Sequence, residues 1–109
     1  MEINKVTVNN VDIYEISGRI DANNSKELEI FLLENIEKGS VKMIADLKNL
    51  EYISSAGLRV FLLVVKKIGK TGFVYLSSLQ PQVYQIFDIS GFNNIFSIFE
   101  TREAALEKA

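Results

Sequence analysis

Asp46-Leu47-Lys48-Asn49-Leu50-Glu51-Tyr52-Ile53-Ser54-Ser55-Ala56-Gly57-Leu58-Arg59 joins one apolar run to a longer one. Val41 to Leu47, before it, is mostly apolar and reads as a central strand. The run after it, Ser55 to Lys70, places Leu58, Phe61, Leu62, Val65 and Ile68 at helical spacing. Val60, Leu63 and Val64 fall largely outside that stripe. The run is rich in β-branched residues, so a strand is the competing reading. Its length up to Gly69 and its small, polar entry favour a helix. The entry matters because the first turn of a helix leaves backbone N–H groups unpaired and carries partial positive charge. A serine there is either a cap or the holder of an anion.

Working outward, Gly69-Lys70-Thr71-Gly72 turns the chain into Phe73–Leu76, a short apolar strand. Strand, helix, strand is a crossover unit, so 41–47 and 73–76 should run parallel with a right-handed connection. Pro81 suits the first turn of a helix reaching about Ile89, with Val83, Ile86 and Phe87 facing the core and Gly91 as the stop. Phe96–Phe99 is expected as a last short strand, and Thr101 as the cap of a helix over Arg102–Lys108.

Upstream, Ile3–Val8, the turn Asn9-Asn10 and Val11–Ser17 form a hairpin that Gly18-Arg19-Ile20-Asp21 ends. Asp21 is read as a turn or cap residue. Asn23-Asn24-Ser25 opens a helix, with Glu27 placed close to a capping box. Leu28, Phe31, Leu32, Asn35 and Ile36 form one face of it, and Gly39 stops it. The expected fold is a single α/β domain over residues 1–109. It has a mixed four- to five-stranded sheet with about four helices and no internal repeat.

Composition narrows the function. The chain has 12 basic and 14 acidic residues, giving −2, and no Lys/Arg run marks a nucleic-acid footprint. It has no cysteine and no histidine, which removes disulfides, thiolate nucleophiles, imidazole bases, structural zinc and haem ligation. No apolar stretch is long enough to cross a bilayer, and the N-terminus lacks a secretory pattern, so a cytoplasmic location is expected. Gly-x-Ser-x-Gly, Gly-x-Gly-x-x-Gly and Walker loops are absent, and the carboxylates are scattered. No enzyme activity and no cofactor are expected.

The serines remain. For an arbitrary Ser-Ser before an apolar helix, a simple cap is the ordinary explanation. Three details point further. Ala56 and Gly57 keep the surroundings of Ser55 small and open, and Gly57 gives up helix stability. The short connection from Asp46 places the serines at the carboxyl edge of parallel strands, where open α/β sheets present their sites. The helix behind them carries apolar side chains beyond its core stripe.

Asp46-Leu47-x-x-Leu50-x-x-Ile53-Ser54-Ser55-Ala56-Gly57-Leu58 resembles the signature of the STAS domain, and specifically of the bacterial anti-sigma factor antagonists. Gly18-x-Ile20-Asp21 resembles that family's Gly-x-Leu-Asp. Phe87-Asp88-Ile89-Ser90-Gly91-Phe92, then Phe96-x-Ile98-Phe99 and an alanine-rich terminal helix, resemble its C-terminal third. The likeness spans essentially all 109 residues.

The resemblance implies a phosphorylation-switched binding module. Its partner would be an anti-sigma factor that is also a serine kinase, and a serine phosphatase would reset it. Many members read Asp-Ser-Ser/Thr-Gly-Leu, with the first serine modified. Aligned on Gly57-Leu58, that serine is Ser55, with Ser54 as the alternative site. Ala56 then stands at the second hydroxyl and Ser54 at the aspartate. The implied partner surface comprises Ser54, Ser55, Ala56, Gly57, Leu58, Arg59 and Leu63, with Val60 and Val64 as further candidates. For Val60, Leu63 and Val64 the alternative is cover by the C-terminal helix. A lone Arg59 has solvation as its ordinary role. A monomer is the default for a small domain that pairs with others, and a STAS scaffold, a transporter accessory subunit or a regulator of a different kinase is the second reading.

Overall fold

Apolar alternation and turn chemistry build the sheet from the hairpin outward. The computed structural model describes all 109 residues. β1 (Glu2–Val8) and β2 (Val11–Ile20) pair antiparallel. They are joined by Asn9 and Asn10 at φ 51° and 67°, the left-handed pair that a tight hairpin turn requires. α1 (Ser25–Glu37), β3 (Lys42–Asp46), β4 (Leu50–Ile53), α2 (Ser55–Ile68) and β5 (Phe73–Ser77) follow. The chain ends with α3 (Pro81–Ile89), β6 (Ser97–Phe99) and α4 (Arg102–Lys108). The sheet order is β1-β2-β3-β5-β6, with β4 paired to β2 off this path. Every pairing except β1–β2 is parallel, β3–β5 included.

Side chains alternate between the two faces of this sheet. Tyr14, Met43, Ala45 and Leu76 join α1, α2 and α3 in one cluster of 20 buried residues. Ile13 and Ile44 face the other way and pack with Ala105 of α4. The expected sheet is therefore present, with one strand more than expected.

Three local expectations are corrected. First, β2 does not stop at Ser17. It continues to Ile20 through a register irregularity at Gly18, whose φ of 88° favours glycine. Second, Asn49–Ile53 is not a plain connection, because Leu50–Ile53 forms β4 on the extended part of β2. Leu50 and Ile53 are both buried. Four residues are too few for a period to stand out in the sequence. Third, the capping box does not form. Asn24 turns back, accepting from the Asp21 amide at 2.8 Å and donating to the Arg19 carbonyl at 2.9 Å. Asp21 Oδ1 instead takes the amides of Asn23 and Asn24, an Asx turn that leads into α1.

A polar chain ties the β2–β3 edge together. Asp12 accepts from Thr7 at 2.7 Å and from Ser40 at 2.6 Å, and Ser40 also shares a hydrogen bond with the buried Tyr14 hydroxyl at 2.7 Å. Burial opposes ionisation of Asp12, but the Ser40 and Thr7 hydrogen bonds and the Lys5 charge outweigh it, so its carboxyl lies below the ordinary value of 3.8. A depressed carboxylate contributes stability above its unfolded pKa and loses it as pH falls through the folded one. Urea unfolding at stepped pH should therefore find Asp12→Asn less stable than wild type at pH 6. The gap should close as pH drops below 3.8.

Candidate functional site

β4 delivers the chain to α2 at the carboxyl edge of the β2–β4 pair. Ser54 is extended (φ −88°, ψ 171°) and is the helix cap. Its amide donates to the Ile20 carbonyl at 2.9 Å, its carbonyl accepts from Leu58 at 3.0 Å and its Oγ accepts from the Gly57 amide at 3.2 Å. Three of its polar atoms are thus committed to joining strand and helix. Ser55 is the first helical residue and is exposed. By helix geometry the amides of Ser55 and Ala56 have no acceptor within α2. The first turn carries no acidic side chain to use that positive end.

The small residues of the entry serve packing more than openness. Ala56 is half-buried and Gly57 is buried. A Cβ on Gly57 would lie 2.7 Å from both Ile20 Cγ2 and Ile53 Cγ1. Glycine here lets the first turn of α2 rest directly on the two strand ends. Gly57→Ala would gain about 1 kcal/mol of helix propensity but overpack this contact by about 1–3 kcal/mol. The expected net result is a melting temperature lower by roughly 5–10 °C, read by thermal denaturation.

The partner surface expected from sequence is also redrawn. Gly57 and Leu58 point inward, Leu58 being only 4% exposed, so neither presents a side chain to a partner. Val60 (4%) and Val64 (0%) are core residues. They belong to the same cluster as Leu28 and Leu32 of α1, which packs on α2; α4 lies on the opposite sheet face. The helix buries Gly57, Leu58, Val60, Phe61, Val64 and Ile68, a stripe turned from the expected one, with Leu62 and Val65 half-buried. Ser55, Arg59 and Leu63 remain as one exposed line at spacing four, Leu63 being 39% exposed. By helix rise this line is about 12 Å long.

Two features were missed in the sequence. The Arg19 guanidinium lies 4.4 Å from the centre of the Tyr52 ring, across the β2–β4 pairing. Farther along the same edge, Arg102 donates to Asp46 Oδ2 at 2.9 Å through Nε and also pairs with Glu15. The Glu15 hydrogen bond leads in raising the pKa of Arg102, above the opposing effect of burial. Asp46 Oδ1 takes the Lys48 amide at 3.1 Å. The aspartate that opens the motif therefore anchors α4 and the β3–β4 turn. These groups line a polar cleft of about 750 Å³ that does not reach Ser55. No sequence period signals either contact, since each joins residues distant in the chain.

The chain belongs to the STAS domain family, whose profile matches residues 2–105. It is 41% identical over 105 residues to BtrV of Bordetella bronchiseptica, to which an anti-sigma factor antagonist role is ascribed, covering 93% of this chain and 90% of that one. It is 31% identical over 93 residues to the anti-sigma-B factor antagonist of Bacillus subtilis, covering 84% of each. The fold matches the unphosphorylated anti-sigma factor antagonist SpoIIAA with a TM-score of 0.84 at 19% identity, over 98% of this chain and 95% of that one. SpoIIAA has also been solved in a phosphorylated form. No helix of the present chain is long and apolar enough to cross a membrane.

Proposed function

We propose that this chain is a cytoplasmic anti-sigma factor antagonist, a binding module without catalytic activity of its own. It binds an anti-sigma factor that is also a serine kinase and so releases the sigma factor. Phosphorylation of Ser55 ends that binding, and a serine phosphatase restores it. The docking surface is Ser54, Ser55, Ala56, Arg59 and Leu63.

The observation that carries the reading is the division of labour between the serines. Ser54 is committed to the cap, whereas Ser55 is exposed in the first turn with unpaired amides beside it. A phosphate adds about −1.5 to −2 charge and three acceptor oxygens. A helix N-terminus tolerates such a group, so the domain stays folded and the change acts at the surface. Ser54 supplies the oxygen acceptor of the cap at the position where the family resemblance implies aspartate.

The test is incubation with candidate kinase–anti-sigma partners and ATP, followed by mass mapping. Phosphate on Ser55, absent in Ser55→Ala, supports the reading. No modification at Ser54 or Ser55, together with stable binding to a non-kinase protein, would assign the domain to another regulatory system.

A further inference from the structure

We propose that Arg19 is a second recognition residue of the docking surface, where it takes a carboxylate of the partner while Ser55 is unmodified. The inference rests on the function proposed above and adds the charge of the partner surface facing this edge.

Four observations carry it. The register of β2 on β4 shifts between Gly18 and Arg19, and such irregularities re-aim a side chain. The guanidinium carbon lies over the Tyr52 ring, 4.4 Å from its centre, a cation–π contact that restrains the side chain. Arg19 is exposed, and neither an ion pair nor a side-chain hydrogen bond to protein engages its guanidinium, in contrast to Arg102, which is held by two carboxylates. Finally, the next residue, Ile20, holds the Ser54 amide at 2.9 Å, so Arg19 stands at the strand end that carries the serines.

A planar fork of N–H donors fits a carboxylate through two parallel hydrogen bonds. A guanidinium already immobilised on an aromatic ring loses less freedom on binding than a free one. Arg59, exposed on α2 one helical turn from Ser55, is a second cation of the proposed docking surface. The only acidic group in the turn after Arg19, Asp21, already accepts two backbone amides. The edge therefore fits an acidic patch on the kinase.

The experiment titrates the serine-kinase anti-sigma factor encoded nearest this chain's gene against unphosphorylated wild type, Arg19→Met and Arg19→Glu, at low and high salt. Arg19→Met keeps an apolar stem over Tyr52 and removes the charge and the N–H donors. The expected losses at low salt are about 10-fold for Arg19→Met and 100-fold for Arg19→Glu, shrinking as salt rises, with unchanged melting temperatures. Wild-type affinity in both variants overturns the inference and leaves the proposed function standing. Equal losses in both variants, independent of salt, also overturn it, because a structural role for the stacked pair would give that pattern. A wild type that binds no such kinase overturns the functional reading, and this inference with it.

Discussion

Ser55→Asp should bind the proposed kinase partner about 100-fold more weakly than wild type, while melting at or up to about 5 °C above it. The two halves of this result have separate causes. Ser55 is exposed, so replacing it removes little packing. A carboxylate in the first turn also meets the positive end of α2, which favours the fold by about 0.3–1 kcal/mol. Under the proposed function, the same charge is set against a partner surface fitted to a small neutral hydroxyl. Truncation or mismatch at one well-packed contact can cost about 2–4 kcal/mol, and roughly 2.7 kcal/mol is a 100-fold loss. Calorimetric titration and thermal melting of one preparation read both quantities.

Phe61→Ala should have the opposite profile and destabilise the fold by about 3–5 kcal/mol. Phe61 is fully buried at the middle of α2, with ring centres 6.5 Å from Phe87 of α3 and 6.5 Å from Phe96 before β6. Phe87 and Phe96 also meet each other edge to face at 5.6 Å. The three rings lock α2 to the C-terminal third of the chain. Such a loss is a large share of the about 5–15 kcal/mol that holds a small domain together. Urea unfolding should show the midpoint shifted strongly downward. Loss of partner binding in this variant would follow from unfolding, unlike the loss in Ser55→Asp.

Much of this was legible in the sequence because it is local. The hairpin turn at Asn9-Asn10, the caps at Ser54 and Thr101, and Pro81 at a helix start all depend on neighbours within four residues. The parallel β3–β5 pair followed from chirality and connection length alone. Ser55 in the first turn of α2 follows from the length of the apolar run.

What failed depends on the third dimension. β4 is four residues long and exists because β2 overshoots its expected end to meet it. Val60 and Val64 looked surplus to one helical stripe, yet α2 is covered on two sides, by the sheet and by α1. Gly57, expected to keep the surface open, instead closes the gap to Ile20 and Ile53. Asp46, Glu15 and Arg102 meet from positions up to 87 residues apart, as no spacing rule would foresee.

The central claim is that one phosphate at the start of α2 decides whether this domain binds. Its most direct test prepares the wild-type chain with and without phosphate on Ser55, verified by mass mapping, and titrates each into the same kinase–anti-sigma factor. The unmodified form should bind and the phosphorylated form should not, while circular dichroism of the two stays the same. Equal affinity of the two forms would contradict the switch.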